Sequence, residues 1–376
     1  MKKAKIGSLE KGKISPRQGG ELLVISLLAT SILLVPAVAV EQQGQNAWLA
    51  VLLGTIWGLV TLSIVCWLGN KHPEETIFQY TETLLGKWLG KVVGLLYVWS
   101  FLRVVAIVIR EFGDFMTTSF MPNTPLSVFS LSLIFLAAWT VFAGLEVLAR
   151  MNEFIILLVI GSLYFILLLS LGNWELGYLQ PLFRVEFLSL LKTSLIPEVW
   201  AVDTITFAVI IPFLTRPQRA LAAGAAAAVF ANGLLAIGLI SLLATFGPYF
   251  LLVTRFPILM FVRSISVAQI LSRFEVLIMV VWVAGVFAKT TFYLYCACLG
   301  LAQITGLKEI RPVVLALGTI AVVWSFSLFE NITELEASVS TTSPRVLLMY
   351  FGIPLFLLVL TWLKEKLHKR QLGRMQ

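Results

Sequence analysis

A lysine in the middle of an apolar stretch has the most chemistry to offer in this sequence. Lys289 lies inside Phe274 to Ala302, FEVLIMVVWVAGVFAKTTFYLYCACLGLA, and Thr290 and Thr291 follow it at once. The stretch exceeds the roughly 20 apolar residues that cross a bilayer. A cation at that depth costs at least about 2.5 kcal/mol on insertion scales, so it faces a partner or a water-filled cavity. The alternative is snorkelling along its own stem to the cytoplasmic surface. Lys308, the next basic residue, lies 19 positions further on, which makes that reach long.

Other charges inside apolar stretches are few. Arg103 stands 12 residues past Lys91, about 18 Å along a helix and so near the midplane. Arg110 and Asp114 are four apart and suit a pair on one helix face. Arg103 has no acid four residues away, so Asp203 or Glu198 is its expected partner; a purely structural ion pair is the competing reading. Glu198 and Asp203 sit in a stretch that also carries Pro197, Thr204, Thr206 and Pro212. An earlier stretch carries Ala29-Thr30-Ser31 and then Pro36. Proline and small hydroxyl residues suit an interrupted helix, whose freed backbone groups hold a charged ligand. An ordinary kinked span is the alternative at either place.

The elements that must position these groups are membrane spans. The 376 residues are 59% hydrophobic and 13% charged, unlike a soluble domain. The net charge of +8 sits in tails and short loops, which is a membrane pattern and not a nucleic-acid one. Ten apolar spans are expected at about 20–40, 46–68, 92–118, 126–145, 152–171, 195–215, 220–246, 274–302, 312–330 and 345–363. With the N-terminus inside, the cytoplasmic segments hold 19 basic residues and the external ones 6, so both termini are expected in the cytoplasm. The N-terminus does not read as a cleavable signal.

Ten spans divide into five (20–171) and five (195–363), joined by an external connection (172–194) and flanked by cytoplasmic tails (1–19 and 364–376). An odd number per half forces the second half to enter from the opposite side, the plan of inverted-repeat transporters. Spans 1 and 6 then correspond, as do 3 and 8, and the buried charge is confined to 3, 6 and 8. Spans 1, 3, 6 and 8 are therefore expected to line one polar cavity. Phe256 to Leu271 reads as an amphipathic external segment, and His72 to Trp88 as a short cytoplasmic helix. Cys66, Cys296 and Cys298 lie in apolar spans and form no metal spacing or disulfide framework. No phosphate-binding glycine loop, metal cluster or nucleophile–histidine pair is visible, so neither a cofactor nor enzyme chemistry is expected.

Motifs spread along the chain carry a resemblance. They include Ile14-Ser15-Pro16-Arg17-Gln18, Leu34-Val35-Pro36, Asn46-Ala47-Trp48-Leu49-Ala50, Phe112-Gly113-Asp114, Pro122-Asn123-Thr124-Pro125, Gly144-Leu145-Glu146 and Arg150-Met151-Asn152-Glu153. Phe256-Pro257, Arg273-Phe274-Glu275, Trp282 and Phe287-Ala288-Lys289 complete the set. In this order and spacing the chain resembles the B subunits of bacterial endospore germinant receptors. These form the spore-permease branch of the amino acid–polyamine–organocation superfamily.

The resemblance implies an all-α LeuT/APC-like membrane fold with broken helices 1 and 6. It also implies residence in the inner spore membrane beside A and C subunits, and a mid-membrane site for a small germinant, typically an amino acid. The superfamily often carries glycines at the first break. This chain has Ala29-Thr30-Ser31 there, which implies a backbone that opens less. On this reading Thr30, Ser31 and the span 6 break, with Glu198, Asp203 and Thr204, meet the ligand's polar end. Trp99, Trp200 and Tyr293 meet its side chain, with Arg103 and Thr290 also lining the site. Lys289 serves as a built-in cation where related folds hold sodium. A proton-coupled amino acid permease and a structural subunit with a degenerate site are the rival readings.

Overall fold

A computed structural model describes residues 9–195, 203–254, 256–265, 275–329, 334 and 347–372. Every described segment of regular structure is helical, apart from one isolated parallel bridge between Ile14 and Leu214. The helices are α1 (Pro16–Gln43), α2 (Ala47–Lys71), α3 (Ile77–Leu85), α4 (Lys87–Ser119), α5 (Leu126–Ala143), α6 (Leu145–Ser170) and α7 (Phe187–Ser194). They continue with α8 (Asp203–Phe213), α9 (Ala220–Val253), α10 (Pro257–Ser264), α11 (Glu275–Thr305), α12 (Arg311–Ser327) and α13 (Ile353–Leu372).

Among the described residues, 7 stretches are long and apolar enough to cross a membrane, and α8 and α12 are shorter apolar helices. Each of the ten expected spans meets a helix. The chain is a multi-pass helical membrane protein.

Local chemistry sets several boundaries. Ser15 and Gln18 form a capping box at the start of α1, with Pro16 in the first turn. The Ser15 hydroxyl accepts the Gln18 N–H at 3.1 Å, and the Gln18 carbonyl oxygen accepts the Ser15 N–H at 2.7 Å. Gly144, at φ +91, separates α5 from α6, so α6 starts at Leu145, ahead of the expected 152. Gly247, at φ +72 and followed by Pro248, kinks α9 where the seventh span was expected to end.

The break expected in span 1 is absent. α1 is helical through Ala29, Thr30 and Ser31, and Pro36 lies inside it. No glycine is present at 29–31 to open the backbone, and Thr30 uses its side chain instead, as described below. In the sixth span, Pro197, Glu198 and Trp200 lie outside the described residues. Its described part begins at Asp203 as a 3₁₀ turn and ends as another at Pro212.

α11 is the central element. Every residue from Ala288 to Gly300 is buried, so this half is covered on all sides. It packs against α1, α3, α4, α5, α6, α10 and α12. One end of the bundle gathers the N-termini of α4 and α6 and the C-termini of α2, α11 and α13. Lys91 there donates to the Ile304 carbonyl at 2.6 Å, and Lys71 pairs with Glu365 at 2.8 Å. At the other end Gln43 donates to Ser189 and Thr193 of α7, at 2.9 and 2.7 Å. α10 buries Ile258, Leu259, Phe261 and Val262, and Phe256 packs edge-on against Phe115. The described part of this segment covers the bundle's end; 266–271 lie outside the described residues.

The expected helix near the other mouth is α3, capped by Thr76 and Gln79. It lies so close to α4 that a Cβ at Gly90 would stand 2.4 Å from the Glu82 Cα. Gly90→Ala is expected to cost about 1–3 kcal/mol by overpacking. Thermal unfolding of the purified variant checks this, and an unchanged transition would refute the close contact.

Candidate functional site

Lys289 and Tyr293 are four residues apart on α11 and share one face. Ser26 and Thr30 are likewise one turn apart on α1. Asp203 opens α8. The fold brings all five together. The Lys289 ammonium donates to the Ser26 backbone carbonyl at 2.8 Å and to the Thr30 hydroxyl at 3.0 Å. It meets both carboxylate oxygens of Asp203, at 3.2 and 3.4 Å. The Tyr293 hydroxyl donates to Asp203 Oδ1 at 2.6 Å. Asp203's backbone carbonyl in turn accepts the Thr206 hydroxyl at 2.6 Å.

Lys289 is 4% exposed and Asp203 1%. A charge so far from water is tolerable only when paired and hydrogen-bonded. Here the three ammonium protons have a carbonyl, a hydroxyl and a carboxylate to meet. The Ser26 carbonyl lies within α1, so it serves the helix and Lys289 with its two lone pairs. The Tyr293 ring lies edge-on to Phe101 of α4 at 5.7 Å. Thr30 is the partly accessible member of the five.

The other expected site residues divide. Ser31 and Thr204 are buried beside Thr30 and Asp203 in sequence. Thr290 is buried, and its hydroxyl has no partner among the described atoms. It is one position, about 100°, around the helix from Lys289. Glu198 and Trp200 lie outside the described residues.

Trp99 is not in the cluster. It is 39% exposed and packs against Trp324 of α12 at 5.8 Å. Tyr97 and Phe101 of α4 form the aromatic row that reaches Tyr293. Trp99 is two residues from each, on roughly the opposite side of the helix. Arg103, half-buried, is four residues beyond Trp99 and seven short of Arg110, so these three share a side. Arg110 reaches the Ser325 carbonyl of α12 at 3.5 Å. Helical period therefore puts Arg103 on the α12 side of α4; Asp203 meets Lys289 and Tyr293, and Glu198, the other expected partner of Arg103, lies outside the described residues. The expected Arg110–Asp114 pair forms, at 2.9 Å.

Three participants have no conspicuous sequence signal. Ser26 acts through its backbone, which no residue type announces; its place one turn before Thr30 is the sole hint. Glu10 and Tyr295 form a second cluster, described below. Glu10 is the single acid in a basic tail, and that contrast was available in the sequence.

The comparisons with known proteins agree with this architecture. Residues 13–334 match the family model of the spore permeases, described as spore germination protein. The chain belongs to the spore germination protein family. It is similar to spore germination protein YndE of Bacillus subtilis (strain 168), 24% identical over 94% of this chain and 98% of that one. It is similar also to spore germination protein KB of the same organism, 26% identical over 97% of this chain and 99% of that one.

Solved structures share the fold, among them these two. One is a Na+-coupled sialic acid symporter in a substrate-bound outward-open state. Its TM-score is 0.60 at 12% identity, covering 92% of this chain and 81% of that one. The other is MhsT in complex with L-phenylalanine, with a TM-score of 0.58 at 14% identity, covering 91% and 97%. The fold is thus that of LeuT/APC-like membrane transporters. The family and its fold neighbours are permeases and transporters, not enzymes.

Proposed function

We propose that this protein is the B subunit of a nutrient germinant receptor, binding a small germinant between α1, α8 and α11. Its membership of the spore germination family supports a permease-like role in germination. The observation that carries the site is the buried Lys289–Asp203 pair, which meets the partly accessible Thr30 where the three helices converge. Ionisable residues inside a membrane are costly and mark substrate or ion pathways, which supports a functional reading of this pair.

On this reading the ligand is an amino acid. Its polar end meets Thr30, Ser31 and the start of α8, with Glu198 and Thr204. Its side chain meets Tyr293 and Trp200. Lys289, with its protons already committed, does not bind the ligand carboxylate directly. It acts as a tethered cation that holds α1 to α8 and α11, and ligand shifts the balance between its closed and open arrangements. Residues 20–171 and 195–363 act as two five-helix repeats joined by 172–194. The shift passes to A and C subunits in the inner spore membrane, with both termini on the cytoplasmic side.

The second reading is a proton-coupled amino acid permease using Asp203 and Lys289, which the transporter fold favours. One experiment separates the two. Purified protein is screened for thermal stabilisation by amino acids, and the same sample in vesicles for uptake with and without a proton gradient. A ligand at 100 times its Kd stabilises by about 2.7 kcal/mol. Stabilisation without uptake is the expected result. Gradient-driven uptake would establish the permease, and neither effect would leave a structural subunit.

A further inference from the structure

A second polar cluster stands where the N-terminal tail enters the bundle, and it needs no ligand to be understood. Glu10 Oε2 accepts the backbone N–H of Leu145, the first residue of α6, at 3.1 Å. It also accepts the Tyr295 hydroxyl of α11 at 3.2 Å. Glu10 Oε1 accepts the Gly12 N–H at 2.7 Å, which fixes the carboxylate's orientation. A carboxylate at the first N–H of a 26-residue helix is favoured by the helix dipole.

Three and four residues past Glu10, the same tail is tied to the end of α8. Lys13 donates to the Pro212 carbonyl at 2.7 Å. The Ile14 N–H donates to the Phe213 carbonyl at 3.0 Å, and the Thr215 N–H donates to the Ile14 carbonyl at 2.9 Å. Ser15 then caps α1. The approach is close: a Cβ at Gly12 would stand 2.9 Å from Glu10 Oε1 and 3.3 Å from the Glu146 Cβ.

We infer that residues 9–15 are a strap that holds this end of the bundle shut, with Glu10 as its catch. The strap bridges two groups of helices. Two backbone bonds and the Lys13 side chain fasten it to α8, and the Glu10 side chain alone fastens it to α6 and α11. Any motion that parts the ends of α1 and α8 from those of α6 and α11 must break one attachment. The catch is the one a single side-chain rotation can release, and the strap then stays on α8. Access to the Lys289 cluster from this end is therefore governed by Glu10.

The native cysteines report on the catch. Cys296 follows Tyr295 directly, Cys298 is three residues on, and both are buried. Cys66, on α2, is also buried and serves as the control for general loosening. The experiment treats membrane vesicles holding the full-length protein with N-ethylmaleimide and measures labelling at each cysteine by mass spectrometry. In Glu10→Ala, Cys296 and Cys298 are expected to label roughly tenfold faster than in the parent, with Cys66 unchanged. Labelling at the parent rate would overturn the proposal. If all three accelerate together, the fold has loosened and Tyr295→Phe, which removes one partner of the catch, decides. Faster labelling confined to Cys296 and Cys298 then supports the strap, and any other pattern overturns it.

Discussion

Lys289→Met is expected to cost about 3–5 kcal/mol of stability, because it leaves the Asp203 carboxylate buried without its cation. Asp203 is 1% exposed, so water cannot replace the lost partner. The Tyr293 hydroxyl still donates, yet one neutral donor does not balance a buried charge. Adding Asp203→Asn removes that charge, and the double variant is expected to recover most of the loss. The check is a double-mutant cycle of thermal or denaturant unfolding on purified protein. A coupling well above the approximately 0.5 kcal/mol of independent sites is expected. Additive losses would mean the two groups do not hold one another. The same double variant tests the function proposed above. It is expected to insert and fold yet lose the stabilising response to amino acids, because the tethered cation is gone. A fully responsive double variant would remove Lys289 from the mechanism.

Tyr293 should separate packing from hydrogen bonding. Tyr293→Ala is expected to cost about 3–5 kcal/mol, since the side chain is fully buried and its loss leaves a cavity beside Phe101. Tyr293→Phe keeps the ring and removes only the donor to Asp203. About 1–3 kcal/mol is expected from that stranded acceptor. Unfolding of the two variants side by side decides. Equal losses would put the whole effect in the hydroxyl, and a neutral Tyr293→Phe would mean Asp203 is satisfied without it.

Much of this molecule was determined by the sequence alone. Apolar stretches of span length, separated by short charged loops, admit little but a helical membrane bundle, because backbone polar groups in hydrocarbon must be satisfied within the segment. Lys289 and Asp203 stood out for the same reason: a charge in an apolar stretch is costly, so its presence signals a site. The Arg110–Asp114 pair was legible because its partners lie about one turn apart.

Pairings between helices were decided by the tertiary structure. Lys289 and Asp203 are 86 residues apart, and no local rule joins them. Helical period shows that Trp99, Arg103 and Arg110 share a side of α4, but not which neighbour that side meets. It meets α12 through Trp99 and Arg110, and Phe101 stands beside Tyr293 where Trp99 was expected. The unbroken α1 went against the reading of Ala29-Thr30-Ser31 and Pro36 as an interruption; no glycine there opens the backbone. The Ser26 carbonyl and the Glu10 catch depended on folding for a different reason. A backbone group has no residue signature, and a tail residue acquires a role only when the helix ends it joins have been brought together.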